Sequence, residues 1–180
     1  MQIINRLIEL ILYFFQSPKK YAKRQGVQFG DNCRIASKNL GSEPYLISLG
    51  NHVHITKGVN FVTHDGAVWV YREEIKDFDV FGKIHIDDNT YIGNNVTILP
   101  GVTIGKNCIV GTSSVVTKSI PDGIIVAGNP ARFILRTDEY KEKMLLKNAK
   151  TKLVDSKTKK AILKSTTFDK FIVKKELKID

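Results

Sequence analysis

The sequence predicts an all-β solenoid, a parallel β-helix, and three observations carry the prediction. Residues 86–118 repeat every six: Ile86, Ile92, Ile98, Ile104, Val110 and Val116 share one position of the hexad. Four residues after five of these stand small or β-branched side chains, Thr90, Val96, Val102, Cys108 and Ser114. Gly93, Gly101, Gly105 and Gly111, with Asn and Asp residues, punctuate the runs. A helix of 3.6 residues per turn cannot keep a period of six, whereas short strands joined by tight turns can. Three hexads close one triangular coil, so residues 18 apart stack: Ile86 with Ile104, Ile92 with Val110, Ile98 with Val116. Each coil completes the core of the next, the logic of a solenoid.

Taken in order, residues 1–20 precede the coils as an apolar helix and a basic collar. MQIINRLIELILYFF, residues 1–15, is apolar over most of a helix circumference, interrupted by Asn5, Arg6 and Glu9. It is shorter than the roughly 20 apolar residues a membrane span needs, and no small-residue cleavage site follows. Two readings stay open: the helix packs across the end of the β-helix or on a neighbouring subunit, or it lies at a membrane interface. Ser17 and Pro18 are expected to end it, and Lys19, Lys20, Lys23 and Arg24 form the collar.

The coil domain is expected over residues 27–135. Phe29, Ile35, Leu49, Ile55 and Phe61 keep the hexad within each group, but the step from Ile35 to Leu49 is 14 residues, two more than two hexads. A bulge or loop is therefore expected near residues 39–44. Between Phe61 and Ile86 the repeat breaks, and the loop at 62–85 carries THDGAVWVYREEIKDFD. A loop this long is usually functional or disordered, and Trp69, Tyr71 and Phe78 argue for order, as an arm reaching a neighbouring subunit. After the coils, Pro121 and Gly123 predict a turn, Ile124–Ala127 a last strand, and Gly128-Asn129-Pro130 another turn. The basic extension, residues 137–180, carries a helix at about residues 138–148 and is less regular beyond.

Composition bounds the partners and the compartment. The net charge is +10 and hydrophobic residues make up 42% of the 180. Residues 137–180 hold 13 Lys and 7 Asp or Glu, so +6 of the charge lies in the extension. No zinc finger, recognition helix or aromatic–basic interleaving accompanies it, which argues against nucleic acid. Cys33 and Cys108 fall at small inward positions and read as buried free thiols of a reducing compartment, not as metal ligands. The expectation is a cytoplasmic protein, with weak membrane-surface association through residues 1–24 at the inner face of the membrane.

The hexads, the histidine-bearing loop and VVTKSIPDGIIVAGNPAR at 115–132 together resemble the hexapeptide-repeat acyltransferases. The likeness is to the sugar and polysaccharide O-acetyltransferases, with the maltose, nodulation and xenobiotic acetyltransferases beside them. It covers roughly residues 27–135. The resemblance implies a left-handed β-helix, a homotrimer with active sites between subunits, and acetyl-CoA lying along a groove between adjacent prisms. It implies His64 as general base and Asn60 as a polar acceptor contact. Gly93 and the Gly111, Thr112, Ser113, Ser114 run fall where backbone groups meet the pantetheine arm. Lys118, Gly128, Pro130 and Arg132 fall in the segment that closes over the nucleotide end of CoA. The long extension and the apolar N-terminal helix depart from the family pattern.

The chemistry fits that reading. A hydroxyl is a poor nucleophile at neutral pH, and imidazole is the side chain best matched to removing its proton. Attack on a thioester forms an oxyanion that backbone N–H groups of the coils can stabilise. No acyl-enzyme is required, and no G-x-S-x-G elbow is present. Asp65, next to His64, points away from it on an extended chain, so Glu73, Glu74 or Asp79 is as good a candidate to orient the ring. Asp65, Trp69 and Tyr71 belong to the acceptor region, and either aromatic ring suits stacking on a sugar or an apolar drug.

Three alternatives stand beside a sugar hydroxyl. Serine, an amino sugar or an antibiotic is the acceptor in the first. In the second, the prism is a non-catalytic binding or scaffold protein. In the third, His54, His64 and His85 converge on zinc, as in carbonic anhydrases built on the same prism, although their spacing is not a compact metal signature. The expectation is an enzyme that requires no metal.

Overall fold

The computed structural model describes residues 11–174 and 176 and divides the chain into two units, Met1–Thr137 and Asp138–Asp180. The first unit is a parallel β-helix of the left-handed kind. Its first coil contains β1 (Gln28–Phe29) and β2 (Arg34–Ile35). The second contains β3 (Ile47–Leu49), β4 (His54–Ile55) and β5 (Asn60–Phe61), and the third β6 (Ile84–Ile86), β7 (Tyr91–Ile92) and β8 (Thr97–Ile98). The fourth contains β9 (Thr103–Ile104), β10 (Ile109–Val110) and β11 (Val115–Val116). One face stacks β1-β3-β6-β9, a second β2-β4-β7-β10-β12, and the third β5-β8-β11, where β12 is Ile124–Ala127.

The expected register is the observed one. Ile86 pairs with Ile104, Ile92 with Val110 and Ile98 with Val116. All six side chains are buried, as are Thr90, Val96, Val102, Cys108 and Ser114. The corners explain the Asn and Gly content. Asn32, His52, Asn89 and Asn107 occupy one stacked corner, each with φ of +55° or +56°, a left-handed conformation that Asn tolerates better than most residues. Their side chains form a ladder: His52 Nδ1–H donates to Asn89 Oδ1 (2.7 Å) and Asn89 Nδ2 to Asn107 Oδ1 (2.6 Å). His52 is thus a corner residue in the place Asn takes elsewhere.

Cys33 and Cys108 are free and buried, and both thiols donate inward, to the carbonyls of Gly50 and Pro121, each at 3.1 Å. Burial also raises the pKa of Cys108, so less thiolate forms at any given pH and the reactive species is scarce. Ellman's reagent is expected to leave the native protein unmodified at mildly alkaline pH and to titrate two thiols in guanidinium. Rapid modification of the native protein would contradict this packing.

Two expectations about the chain ends are corrected. Residues 11–15 are helical, while residues 1–10 of the expected apolar helix lie outside the described residues. Ser17 and Pro18 do not merely end that segment; they start helix α1 (Pro18–Arg24), with Ser17 as N-cap and Pro18 in the first turn. Helix α1 buries Ala22, and Lys19 Nζ donates to the Cys33 carbonyl (2.9 Å), so the collar packs on the first coil. Past the last coil, the Gly128–Pro130 turn leads to β13 (Arg132–Arg136), which runs antiparallel to β12 and was not anticipated.

In the second unit, α2 (Thr137–Leu145) is the expected helix, and a further one, α3 (Ser156–Ser165), follows. Asp155 caps α3, accepting from Lys157 N–H (2.9 Å), Thr158 N–H (3.1 Å) and the Thr158 hydroxyl, bonds that hold its carboxyl below the usual range. No described residue of this unit is buried.

Candidate active site

The loop between β5 and β6 leaves and rejoins the prism through a pinned stem. His64 bridges to Phe81 in antiparallel fashion, Asp65 N–H donates to the Val80 carbonyl (2.8 Å), and Gly82 N–H donates to the Thr63 carbonyl (2.9 Å). From the stem, Asp65 caps a 3-10 helix, Gly66–Tyr71, by accepting from Ala67 N–H (3.0 Å). His64 therefore stands at the mouth of the loop on fixed backbone rather than on its tip.

The side chain that holds His64 comes from the 14-residue step in the coil pattern. Asn39 bridges to Asn60 and accepts from Phe61 N–H (3.0 Å), which staples this loop to β5. Gly41, with φ of +71°, lets it pass: a Cβ there would lie 2.8 Å from the Phe61 carbonyl oxygen and 2.9 Å from Thr63 Oγ1. Two residues on, Glu43 precedes the 3-10 helix Pro44–Leu46. Its Oε2 accepts from the buried Thr63 hydroxyl (2.6 Å) and from His64 Nδ1–H (3.1 Å). The His64 side chain is 36% exposed and that of Glu43 15%. With Nδ1 bound to a carboxylate, the neutral ring keeps its lone pair on Nε2. Gly66 flanks that edge: a Cβ there would lie 3.8 Å from Nε2, so glycine leaves the approach open.

His64 and Glu43 face a cavity of about 270 Å³ lined also by Gly66, Trp69, Arg72, Asp79 and Phe81. Of the acceptor residues expected from sequence, Trp69 lines it. Asp65 is engaged as the helix cap, Tyr71 packs its ring on Phe78 (6.2 Å between centroids), and Asn60 lies on β5 with its side chain exposed. Asp79 is paired with Arg72 (2.7 Å), and Glu43, not one of the nearby carboxylates in the loop, orients the imidazole. Sequence reading missed Glu43 and Gly66, and the signal that could have found Glu43 was the two-residue excess in the coil.

A second concavity, about 460 Å³, runs beside the last coil and includes Lys118, Ile124, Val126, Ala131, Arg132 and Phe133 in its lining. It brings Lys118 and Arg132 together with apolar side chains, the composition that suits a ligand carrying both phosphates and an apolar arm. The glycines expected to contact the arm are close-packed between coils. A Cβ on Gly93 would lie 2.7 Å from Thr112 N, and one on Gly111 2.8 Å from the Ala127 Cβ. Ser114 is buried and ties the turn down, donating to the Gly111 carbonyl (2.7 Å) and accepting from Gly128 N–H (3.0 Å). Thr112 and Ser113 are exposed at a corner, Ser113 with φ of +58°, and Gly128 and Pro130 are exposed in the turn before β13. The two concavities share no lining residue.

The other histidines stand apart from His64. His85 Nδ1 shares a hydrogen bond with Ser48 Oγ (2.9 Å), and His54 meets Tyr91 edge-on (5.2 Å between centroids). Burial and the Arg34 charge lower the pKa of His54. Among the described residues no three His, Cys, Asp or Glu side chains gather as a metal site.

Comparison with known proteins agrees with the fold. Residues 83–118 match the model of the bacterial transferase hexapeptide family (six repeats). The chain is 49% identical over 144 residues to Protein CapG of Staphylococcus aureus, covering 78% of this chain and 84% of that protein. It is 37% identical over 101 residues to the putative acetyltransferase YvoF of Bacillus subtilis, 56% of this chain and 54% of that one. Among solved structures it is similar to the hexapeptide-repeat acetyltransferase VCA0836 of Vibrio cholerae complexed with acetyl coenzyme A. There the identity is 29% and the TM-score 0.53, over 62% of this chain and 61% of that one. The chain thus spans most of CapG but less than two thirds of YvoF or VCA0836.

Proposed function

The chain belongs to the hexapeptide-repeat acetyltransferase family, which takes its acyl group from acetyl-CoA, and from that premise we propose that it acetylates a hydroxyl of a sugar or surface-polysaccharide precursor. The observation that carries this is the imidazole held by Glu43 through Nδ1, with Nε2 left toward a small cavity bearing Trp69.

His64 Nε2 takes the proton of the acceptor hydroxyl as its oxygen attacks the thioester carbon. The tetrahedral oxyanion collapses, the C–S bond breaks, and the imidazolium returns the proton to the departing thiolate. The products are an acetate ester and free CoA, with no acyl-enzyme. Glu43 holds the tautomer and the orientation of the ring. Lys118 and Arg132 supply cations for the phosphates of CoA, with Ile124, Val126 and Phe133 against its apolar parts. Gly111, Thr112, Ser113 and Gly128 lie beside the path of the arm.

The base and the cationic cleft occupy separate concavities of one chain, which supports a homotrimer in which neighbouring prisms bring one chain's cleft beside another's His64. The exposed Val70, Tyr71 and Ile75 of the loop suit such a contact. No described helix is long and apolar enough to cross a membrane. Exposed Phe14 and Phe15, followed in sequence by exposed Lys20 and Lys23, support surface association at the inner face of the membrane.

The test is release of free CoA from acetyl-CoA with a panel of hexosides, L-serine, glucosamine and chloramphenicol. Release that depends on a hexoside is expected. Release with serine or chloramphenicol alone would replace the sugar reading, and a protein that binds hexosides yet transfers to nothing would favour a binding module.

A further inference from the structure

We propose that Trp69, Arg72 and Asp79 form an acceptor subsite that admits a single sugar ring without an anionic group and discriminates against uronic acids. The proposal rests on the sugar O-acetylation reading above and concerns the wall of the cavity opposite the proton chemistry.

Three features of that wall carry it. Trp69 is 71% exposed although it lines a cavity, so a large aromatic face is left uncovered beside His64. The partial negative charge of an aromatic face suits the C–H face of a sugar ring. Arg72 is fixed at two points: its Nε donates to the Phe78 carbonyl (3.1 Å) and its Nη2 to Asp79 Oδ1 (2.7 Å). That pairing spends one edge of each planar group. Among the described residues, no hydrogen bond engages Arg72 Nη1 or Asp79 Oδ2. A held donor beside a held acceptor matches adjacent hydroxyls of a sugar, which give and receive hydrogen bonds at once.

Charge supplies the selectivity. The lining holds two carboxylates, Glu43 and Asp79, against one guanidinium that Asp79 already neutralises. An acceptor carboxylate would meet two like charges on this wall, whose single guanidinium is already shared with Asp79. The cavity, about 270 Å³, also lies below the range of drug-sized pockets, which suits one ring rather than a chain.

The experiment measures initial rates with acetyl-CoA saturating, for a methyl hexoside, the matching uronic acid and L-serine. It uses the wild type, Trp69→Ala, Arg72→Lys and Asp79→Asn, with thermal melts to confirm folding. Asparagine at 79 retains an oxygen for Arg72 Nη2 but removes the charge. The wild type is expected to prefer the hexoside. Trp69→Ala is expected to raise the hexoside KM by about tenfold or more with kcat within a few-fold. Arg72→Lys, which loses the planar fork, is expected to raise that KM as well. Asp79→Asn is expected to narrow the hexoside-to-uronate ratio by about fivefold to tenfold. Hexoside and uronate binding is read separately by saturation-transfer NMR on the same proteins. Selective hexoside binding without transfer would overturn the acetyltransferase reading and leave the subsite standing. Equal binding of both sugars, indifferent to Asp79→Asn, would overturn the subsite whatever the rates.

Discussion

Replacing His64 with alanine is expected to lower kcat by about 10²–10⁴, the usual contribution of a positioned general base, with the KM for acetyl-CoA little changed. The reason is spatial: His64 lines the acceptor cavity, whereas Lys118 and Arg132 line the other cleft. On the proposed mechanism Glu43 acts through His64, as a positioning residue. Glu43→Gln keeps an oxygen able to accept from Nδ1–H and is expected to lose less activity than Glu43→Ala. Alanine releases the ring and also strips the buried Thr63 hydroxyl of its partner. The loss in both should fall on kcat rather than on KM. Equal damage from Gln and Ala, or a change in KM alone, would mean that Glu43 serves only to hold the two loops together.

The second large effect is structural. Phe61→Ala is expected to destabilise the protein by about 3–5 kcal/mol, the range for truncating a fully buried aromatic side chain. Phe61 is 2% exposed and lies in register with Ile98, which stacks in turn on Val116. It is also the last coil residue before the loop, so a cavity there loosens the stem that carries His64. Urea midpoints at one protein concentration measure the change. Leu153→Ala, at a side chain 98% exposed, is the control and should stay within about 0.5 kcal/mol. A Phe61→Ala midpoint as close to wild type as the control would contradict the stacked core.

The coil core was legible in the sequence because its period is local. Ile86, Ile92 and Ile98 announce their partners 18 residues on, and the structure pairs them so. His64 was legible because it stands where the period breaks. Glu43 was not, because its contact joins residues 21 apart on two irregular loops, and no period connects them. Strand β13 was missed for a related reason. RFILR runs antiparallel at the end of the stack, where the hexad no longer applies, and three of its first four residues are exposed.

At the helix ends, the signals were present and were read the wrong way or passed over. Ser17-Pro18 is as good an N-cap and first-turn pair as it is a stop, and the next turn, KYAKR, settles which. Asp155 likewise marks the start of α3, whose apolar residues, Ala161, Ile162 and Leu163, fall in one short run past its lysine-rich first turns. In the candidate site, sequence singled out the histidine and one aromatic wall of the cavity. The fold supplied the carboxylate behind that histidine, the glycine beside it and the Arg72–Asp79 pair.

The central claim is direct transfer of an acetyl group to a sugar hydroxyl. The measurement that meets it is NMR of a hexoside after incubation with the protein and acetyl-CoA, with free CoA counted in the same tube. The account predicts one new acetate ester on the ring for each CoA released, with the protein's own mass unchanged. Thiol release without an ester, or a lasting acetyl adduct on the protein, would contradict it.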